Sequence, residues 1–160
     1  MSLDQVRAYL NRWDRGADII EMAISTATVE LAASALGVLP ARIAKTISLR
    51  GEGSSCLIIV TAGDMKIDNR KFRERFGFKP RMLSPEEALK YTGHGIGGVC
   101  PFALPPETET YLDSSMRRFK TVFPACGSSN SAIELSITEL EEYSQSRAWV
   151  DVCVPIKNPQ

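Results

Sequence analysis

The sequence predicts a single domain of the α+β or mixed α/β class, with a mixed sheet of about six or seven strands and surrounding helices. Segments with a two-residue hydrophobic period are interspersed with segments of helical period, which is typical of this class. The 160 residues can bury one substantial core, and no internal repeat or low-complexity linker divides them. We therefore expect one domain over residues 1–160, with an N-terminal helix at about residues 3–14 as an extension.

The first half of the chain combines helix signals with two strands. Thr28 is placed to cap a helix that Gly37 ends. Lys45, Ile47 and Leu49 share one face of a strand, and the continuous apolar run at 56–61 predicts a central strand. The predicted elements are a helix at 3–13, a strand near 19–22, a helix at 29–36, a helical turn at 40–44 and strands at 45–50 and 56–61.

The second half contains a long irregular segment between helices and strands. Ser84 begins a capping box with proline at the first helical position. Ser136 with Glu139, or Thr138 with Glu141, caps a later helix. The predicted elements are a helix between the Asp68 cap and Gly77, a strand at 82–83, a helix at 85–91, a Gly/Pro-rich loop at 92–106, strands at 111–112, 121–125 and 132–135, a helix reaching about 146 and a closing strand at 149–154.

Charge is balanced over the whole chain but not along it. The 19 Lys and Arg residues equal the 19 Asp and Glu residues, which argues against a polybasic nucleic-acid binder. Residues 42–81 nevertheless hold ten basic and four acidic residues. The longest strongly apolar stretch, 56–60, is too short to span a bilayer, and no secretory signal opens the chain. We expect no membrane partner and a cytoplasmic location.

The motifs of several enzyme classes are missing. The sequence has no P-loop, no H-E-x-x-H and no G-x-S-x-G. The four cysteines form no C-x-x-C pair and only one histidine, His94, could share a metal, so we expect buried reduced thiols and neither metal nor cofactor. A nucleophilic Cys100–His94 pair is one interpretation of the loop; an exposed histidine beside a partly buried cysteine is the other.

Two features are candidates for a binding site. Closely spaced glycines at Gly93, Gly95, Gly97 and Gly98 can leave backbone amides free to meet a phosphate or a developing oxyanion, or can form a tight connection between helix and strand. Lys45 lies on the strand face that alternation assigns to the core. Its ammonium either reaches water past the strand end or grips an anionic or carbonyl group at a pocket rim.

Five segments in the same order resemble the YbaK/ProX superfamily. They are Thr28–Ala33, Lys45-Thr46, the loop Thr92-Gly93-x-x-x-Gly97-Gly98-Val99-x-Pro101-Phe102, Tyr111–Ser114 and Cys126–Asn130. The resemblance covers about residues 25–153. It implies a compact mixed α/β fold with a pocket between the sheet and the Gly-rich loop. It also implies hydrolysis, in trans, of the ester that joins a wrong amino acid to the 3′ end of a tRNA, typically tRNA for proline.

The resemblance assigns the family's important lysine to Lys45 and its amide-bearing loop to residues 97–101. The candidate catalytic residues are Lys45, Gly97 and Gly98. The candidate substrate-binding residues are Thr26, Thr46, Thr92, Gly93, His94, Val99, Cys100, Pro101, Phe102, Asp113, Gly127 and Ser128. Two positions depart from the family pattern, since Cys100 stands where serine is frequent and Ala103 where glycine is frequent. Asp113 either orients the loop or Lys45, or caps a helix from Ser114.

The resemblance leaves the identity of the amino acid open, because it depends on pocket volume. Alanine, cysteine, serine and larger analogues are all candidates, and Met22, Ser25, Thr26, Ile47 and Val99 are candidates for the pocket wall. The expected partner is the aminoacyl-tRNA 3′ end, with an aminoacyl-tRNA synthetase as a further partner. A module that binds a tRNA end or a nucleotide without hydrolysis is the alternative function.

Overall fold

The computed structural model describes residues 2–53 and 55–157 and has a six-stranded mixed sheet at its centre. The expected single domain also includes residues 1, 54 and 158–160, which lie outside the described residues. The helices are α1 (Ser2–Leu10), α2 (Val29–Leu36), α3 (Asn69–Phe76), α4 (Pro85–Thr92) and α5 (Ile137–Ser144). The strands are β1 (Ile20–Glu21), β2 (Ile43–Arg50), β3 (Cys56–Ala62), β4 (Met65–Ile67), β5 (Glu109–Asp113), β6 (Thr121–Pro124), β7 (Ser131–Ala132), β8 (Leu135–Ser136), β9 (Ala148–Val150) and β10 (Cys153–Pro155).

The main sheet has the order β8-β6-β2-β3-β5-β9. The hairpin β2–β3 is antiparallel, and parallel strands flank it, with β6 beside β2 and β5 beside β3. Strand β9 continues the parallel part and β8 closes the other edge antiparallel to β6. Two short pairs, β1–β7 and β4–β10, lie outside this sheet. The predicted mixed α+β class is confirmed.

Strand β3 is buried along its whole length, as its apolar sequence predicts. Ile58 and Val60 belong to the larger core, which also holds Val6 and Leu10 of α1. Ile59, on the opposite face, belongs to a second core with α3. Both faces of the sheet are therefore covered, and α1 is part of the main core. Within the described residues, no helix is long and apolar enough to cross a membrane.

Capping residues set the helix boundaries where the sequence predicts them. The Thr28 side chain accepts a hydrogen bond from the Leu31 amide, and Gly37 ends α2 in the left-handed conformation. Ser84 and Ser136 each begin a complete capping box with a glutamate three residues later. For α5 this decides between the two predicted caps in favour of Ser136.

The predicted closing strand at 149–154 is wrong in one respect, because it is two strands in different sheets. β9 pairs with β5 and β10 pairs with β4. Between them the Val152 amide donates to Asp113 Oδ1, and its carbonyl accepts from the Asp68 amide. These two bonds turn the chain from one sheet to the other. The break between β9 and β10 depends on the side chain of Asp113, which lies on the neighbouring strand β5. The apolar pattern of residues 149–154 therefore does not show it.

Other differences are local. β2 begins two residues earlier than expected, and β4 is missing from the predicted elements because three residues give too short a pattern. The predicted strand at 132–135 is divided into β7 and β8, since Ala132 pairs with β1 and Leu135 with β6. The segment expected as a strand at 82–83 contributes only a bridge from Met82 to Leu49.

Candidate active site

A cavity of about 220 Å³ opens between the start of β2, the N-terminal end of α2 and the Gly-rich loop. This is the position that the family resemblance implies for a pocket. The cavity is lined by Thr26, Ala27, Thr28, Val29, Ala32, Ile43, Ala44, Lys45, Thr46, Gly97, Val99, Phe123, Ala125, Ser131 and Ala132. The lining is therefore made mainly of small apolar side chains and hydroxyls, with one cation.

That cation is Lys45, which is half-buried at the cavity wall. Burial lowers the pKa of its ammonium, while the negative charges of Glu30 and Asp64 act in the opposite direction. Within residues 2–53 and 55–157, no carboxylate lies within ion-pair distance of Lys45. Its charge is thus available to a bound anion or a polarised carbonyl.

Four hydroxyl side chains, of Thr26, Thr28, Thr46 and Ser131, add polar groups to the lining, and two of them have free hydrogen-bonding capacity among the described residues. Thr46 Oγ1 is buried and has no hydrogen-bond partner in the part of the chain that the structure describes. Because buried polar atoms are nearly always paired, such an atom beside a cavity indicates a place for a ligand or water. Thr26 Oγ1 donates to the Ser129 carbonyl over 3.1 Å and keeps its acceptor capacity.

The Gly-rich loop forms the opposite wall. Gly97 lines the cavity with a φ of +79°, and a Cβ built there would lie 2.9 Å from the Ala27 Cβ. Gly98 does not line the cavity: its amide donates to the Gly95 carbonyl, and a Cβ would lie 2.7 Å from the Gly127 carbonyl carbon. Gly97 therefore contributes to the cavity wall, whereas Gly98 allows its loop to pack closely against the backbone at Gly127.

His94 and Cys100 do meet, but deep inside the protein. The expected exposed histidine is wrong, because His94 is 1% exposed and Cys100 is fully buried. His94 Nε2 donates to the Phe102 carbonyl over 2.8 Å, Nδ1 accepts from the Ser2 hydroxyl, and Cys100 Sγ lies 3.4 Å from Nε2. Burial raises the pKa of the Cys100 thiol to about 12 and lowers the pKa of His94. Neither residue lines the cavity, so the pair is not a thiolate nucleophile at the site.

A family model for the aminoacyl-tRNA editing domain matches residues 24–143, which include the whole lining of the cavity. The chain belongs to this family. Its match begins after α1 and β1 and ends within α5.

Two relatives show how the editing domain compares with curated proteins. It is 59% identical over 153 residues, or 96% of this chain and 98% of the relative, to the uncharacterized protein YwhH of Bacillus subtilis (strain 168). It is 26% identical over 110 residues, 68% of this chain and 67% of the relative, to EbsC of Enterococcus faecalis (strain ATCC 700802 / V583), named "Putative Cys-tRNA(Pro)/Cys-tRNA(Cys) deacylase".

Solved structures agree with the fold of the editing domain. A crystal structure described as "a putative trans-editing enzyme for prolyl tRNA synthetase" matches with a TM-score of 0.84 and 26% identity, over 94% of this chain and 96% of that chain. The crystal structure of the hypothetical protein APE2540 matches with a TM-score of 0.79 and 28% identity, over 91% of this chain and 99% of that chain.

Several predicted site residues of the editing domain lie at the two ends of the Gly-rich loop, away from the cavity, and stabilise the loop. Thr92 Oγ1 donates to the Ala88 carbonyl and accepts from the His94 amide. Gly93 ends α4 in the left-handed conformation. Pro101 and Phe102 are buried, and Phe102 belongs to the main core. These residues lie outside the cavity lining and anchor the loop, of which Gly97 and Val99 face the cavity.

Three further predicted residues also lie outside the lining. Asp113 Oδ2 accepts from the Ser115 amide and Oδ1 from the Val152 amide, so the capping interpretation of Asp113 is confirmed. Gly127 has a φ of +93° and touches α1, where a Cβ would lie 2.8 Å from the Ser2 carbonyl oxygen. The Ser128 hydroxyl lies 2.7 Å from that of Ser131, which is a lining residue.

Of the candidate pocket-wall residues, Thr26 and Val99 line the cavity, whereas Met22, Ser25 and Ile47 do not. Sequence reasoning missed the wall formed by Ala125, which directly follows β6, and by Ala132 of β7. These residues are small and carry no chemical signal. A bridge joins Ala125 to Ala132 at the cavity, and that contact is not visible in a local pattern. In the described residues, no group of His, Cys, Asp and Glu could hold a metal ion.

Proposed function

We propose that this editing domain hydrolyses, in trans, the ester bond of mischarged aminoacyl-tRNA, with tRNA for proline as the carrier. One observation supports it above the rest: Lys45 and Thr46 line one small cavity with Gly97 of the Gly-rich loop. Among the residues that the structure describes, Lys45 has no carboxylate within ion-pair distance and the Thr46 hydroxyl has no hydrogen-bond partner. Family membership and the names of EbsC and the trans-editing crystal structure point to the same chemistry.

The proposed mechanism uses water as the nucleophile. The lining contains no Asp, Glu, His or Cys among the described residues, so the chain offers no ordinary base or covalent nucleophile there. An aminoacyl ester is already reactive, and positioning with electrostatic stabilisation is sufficient to accelerate its hydrolysis. Lys45 and the backbone amides of Gly97 and Val99 orient the ester carbonyl and stabilise its oxyanion.

Hydrolysis of the aminoacyl ester needs only water as co-substrate. Water oxygen bonds to the carbonyl carbon, and the bond between that carbon and the ribose oxygen breaks. The neighbouring ribose hydroxyl of the terminal nucleotide relays a proton from the water to the leaving oxygen. The products are a free amino acid and a tRNA with its terminal hydroxyls restored.

The cavity favours small amino acids. Its volume is about 220 Å³, and Ala27, Ala44, Ala125 and Val99 are among the residues that line it. Such a pocket distinguishes between amino acids by excluding those with larger side chains. A side chain that is too large would have to displace the packed residues of the pocket wall, which costs free energy. We propose alanine, serine and cysteine as the class that fits.

The experiment measures deacylation of tRNA for proline charged with alanine, cysteine or serine. At least one of the three should be deacylated, and Lys45→Met should lower kcat/KM about 100-fold, the size of effect seen when an oxyanion donor is removed. Lys120→Met is the matched control, since Lys120 is exposed and lies outside the cavity lining. It should retain wild-type activity.

Three results would contradict the proposal. If all three tRNAs stay acylated while another editing domain deacylates them under the same conditions, hydrolysis is ruled out. Binding of tRNA without turnover would favour the non-catalytic binding module. Loss of activity in Cys100→Ser with the fold intact would identify a thiol hydrolase instead.

A further inference from the structure

A second depression lies on the other side of Lys45. It is a groove of about 300 Å³ between β2 and the segments near β4 and Pro80. Ile47, Ile67 and Met82 contribute apolar surface to it, and Lys66 stands at its side. Lys45 lines both the groove and the cavity, so the two depressions adjoin at this residue.

The outer wall of the groove is fixed to the sheet. The Arg50 amide donates to the Arg81 carbonyl over 2.8 Å, and the Leu83 amide donates to the Ser48 carbonyl over 3.1 Å. Met82, between these two bonds, is 66% exposed. These two hydrogen bonds fix the backbone on both sides of Met82, so its large apolar side chain stays at the surface.

The groove lies in the basic part of the molecule. Residues 65–81 contain seven Lys and Arg residues against two Asp and Glu residues, a net charge of +5 in a chain whose total is zero. In the described part of the chain, Lys66 has no carboxylate within ion-pair distance, like Lys45. Apolar surface beside unpaired cations suits a ligand that carries both flat rings and negative charge.

We propose that this groove binds the single-stranded 3′ end of the substrate tRNA, directly before the esterified nucleotide. The assignment rests on the proposed function, because it places the aminoacyl ester in the cavity and the preceding nucleotides beyond Lys45. Lys66 pairs with one phosphate. The Lys45 ammonium, which has three donors, contacts the phosphate next to the ester as well as the ester carbonyl, and a base packs on Met82 and Ile47. The strand from Lys45 to Leu49 is about 13 Å long, which leaves room for nucleotides but not for a duplex.

The test is a thermodynamic cycle on binding, which needs no hydrolysis. Dissociation constants are measured by fluorescence anisotropy for uncharged tRNA for proline and for the same tRNA with its single-stranded 3′ end removed. Removing the end should weaken binding to the wild-type protein about tenfold, as expected for one stacked base. Met82→Asp and Lys66→Glu should weaken binding of the intact tRNA by a similar factor and should abolish the difference between the two RNAs.

Leu89→Asp and Lys120→Glu are the matched controls, because both side chains are exposed and neither lines the groove. Both controls should keep the tenfold difference. If the groove variants keep it too, or if intact and trimmed tRNA bind wild type equally, the assignment is overturned. If the cycle gives the expected coupling but no charged tRNA is hydrolysed, the groove assignment stands and the proposed function fails.

Discussion

His94 shows how one side chain can join the Gly-rich loop to the rest of the protein. Its ring donates to the Phe102 carbonyl and accepts from the Ser2 hydroxyl, which links the loop to α1. A carbonyl can only accept, so Nε2 carries a proton. Burial lowers the pKa of His94 and so favours the neutral ring, in which Nδ1 is the acceptor. The only histidine of the chain, which the sequence presents as a candidate for catalysis, is a buried structural link.

The stability of the protein should therefore fall in mild acid. Burial holds the pKa of His94 below its ordinary value, so the unfolded state takes up a proton at a higher pH than the folded state. The stability due to the neutral ring is complete above about pH 6.5, the unperturbed histidine pKa, and is lost as the pH falls from there through the folded pKa. Urea titrations of wild type and His94→Gln at pH 7.5 and 5.5 measure the effect.

Wild type should lose more free energy of unfolding than His94→Gln over this interval. The variant has a lower stability at pH 7.5 but lacks the titrating group. An equal loss in both proteins would show that other groups cause the acid sensitivity and would contradict the assignment.

At the scale of elements, two glycines of one loop should differ in how much stability they lose on substitution by alanine. A Cβ on Gly98 would lie 2.7 Å from backbone atoms of Gly127, so Gly98→Ala must push the two loops apart. We expect a loss of about 1–3 kcal/mol and a lower deacylation rate, because Gly97 in the cavity wall shifts with it. Gly95→Ala meets nothing within 4 Å and should be neutral or slightly stabilising. Thermal melts of the two variants measure the difference, and equal stabilities would disprove close loop packing.

The elements that the sequence predicts well are those with local causes. Thr28 and Ser84 cap helices through atoms three residues away, and β3 is apolar because both of its faces are covered. The elements that it predicts poorly depend on distant partners. The turn at Val152 requires Asp113, and the division between β7 and β8 requires two different neighbouring strands.

The candidate site divides in the same way. Lys45 is conspicuous because a charge stands on an apolar strand face, and the structure places it between a cavity and a groove. The glycines of the loop are equally conspicuous, but their pattern does not tell a lining residue such as Gly97 from a packing residue such as Gly98. Gly97 and Gly98 have different roles because they have different neighbours in the fold: Gly97 lies against Ala27, and Gly98 lies against Gly127.

At the scale of the whole molecule, positive and negative residues are equal in number but unevenly distributed along the chain. Residues 65–81 are strongly basic, while the complete chain has a formal charge of zero. A long-range field that would attract duplex nucleic acid is therefore weak, whereas the field beside Lys45 and Lys66 is locally positive. Affinity for tRNA should be modest and confined to the 3′ end.

The salt dependence of tRNA binding tests this distribution. Each phosphate neutralised on a single strand contributes about −0.7 to the slope of log K against log salt concentration, so contacts from Lys45 and Lys66 give a slope of about −1.4. Lys66→Glu should reduce the slope by about half or more, whereas Lys120→Glu should leave it unchanged. Affinities measured between 50 and 300 mM salt supply the slopes. A wild-type slope steeper than about −5 would indicate broad contact with the duplex and would contradict a local site. A shallow slope, altered only by the groove variant, would mean that this neutral protein recognises its substrate through a few charges at one end of the tRNA.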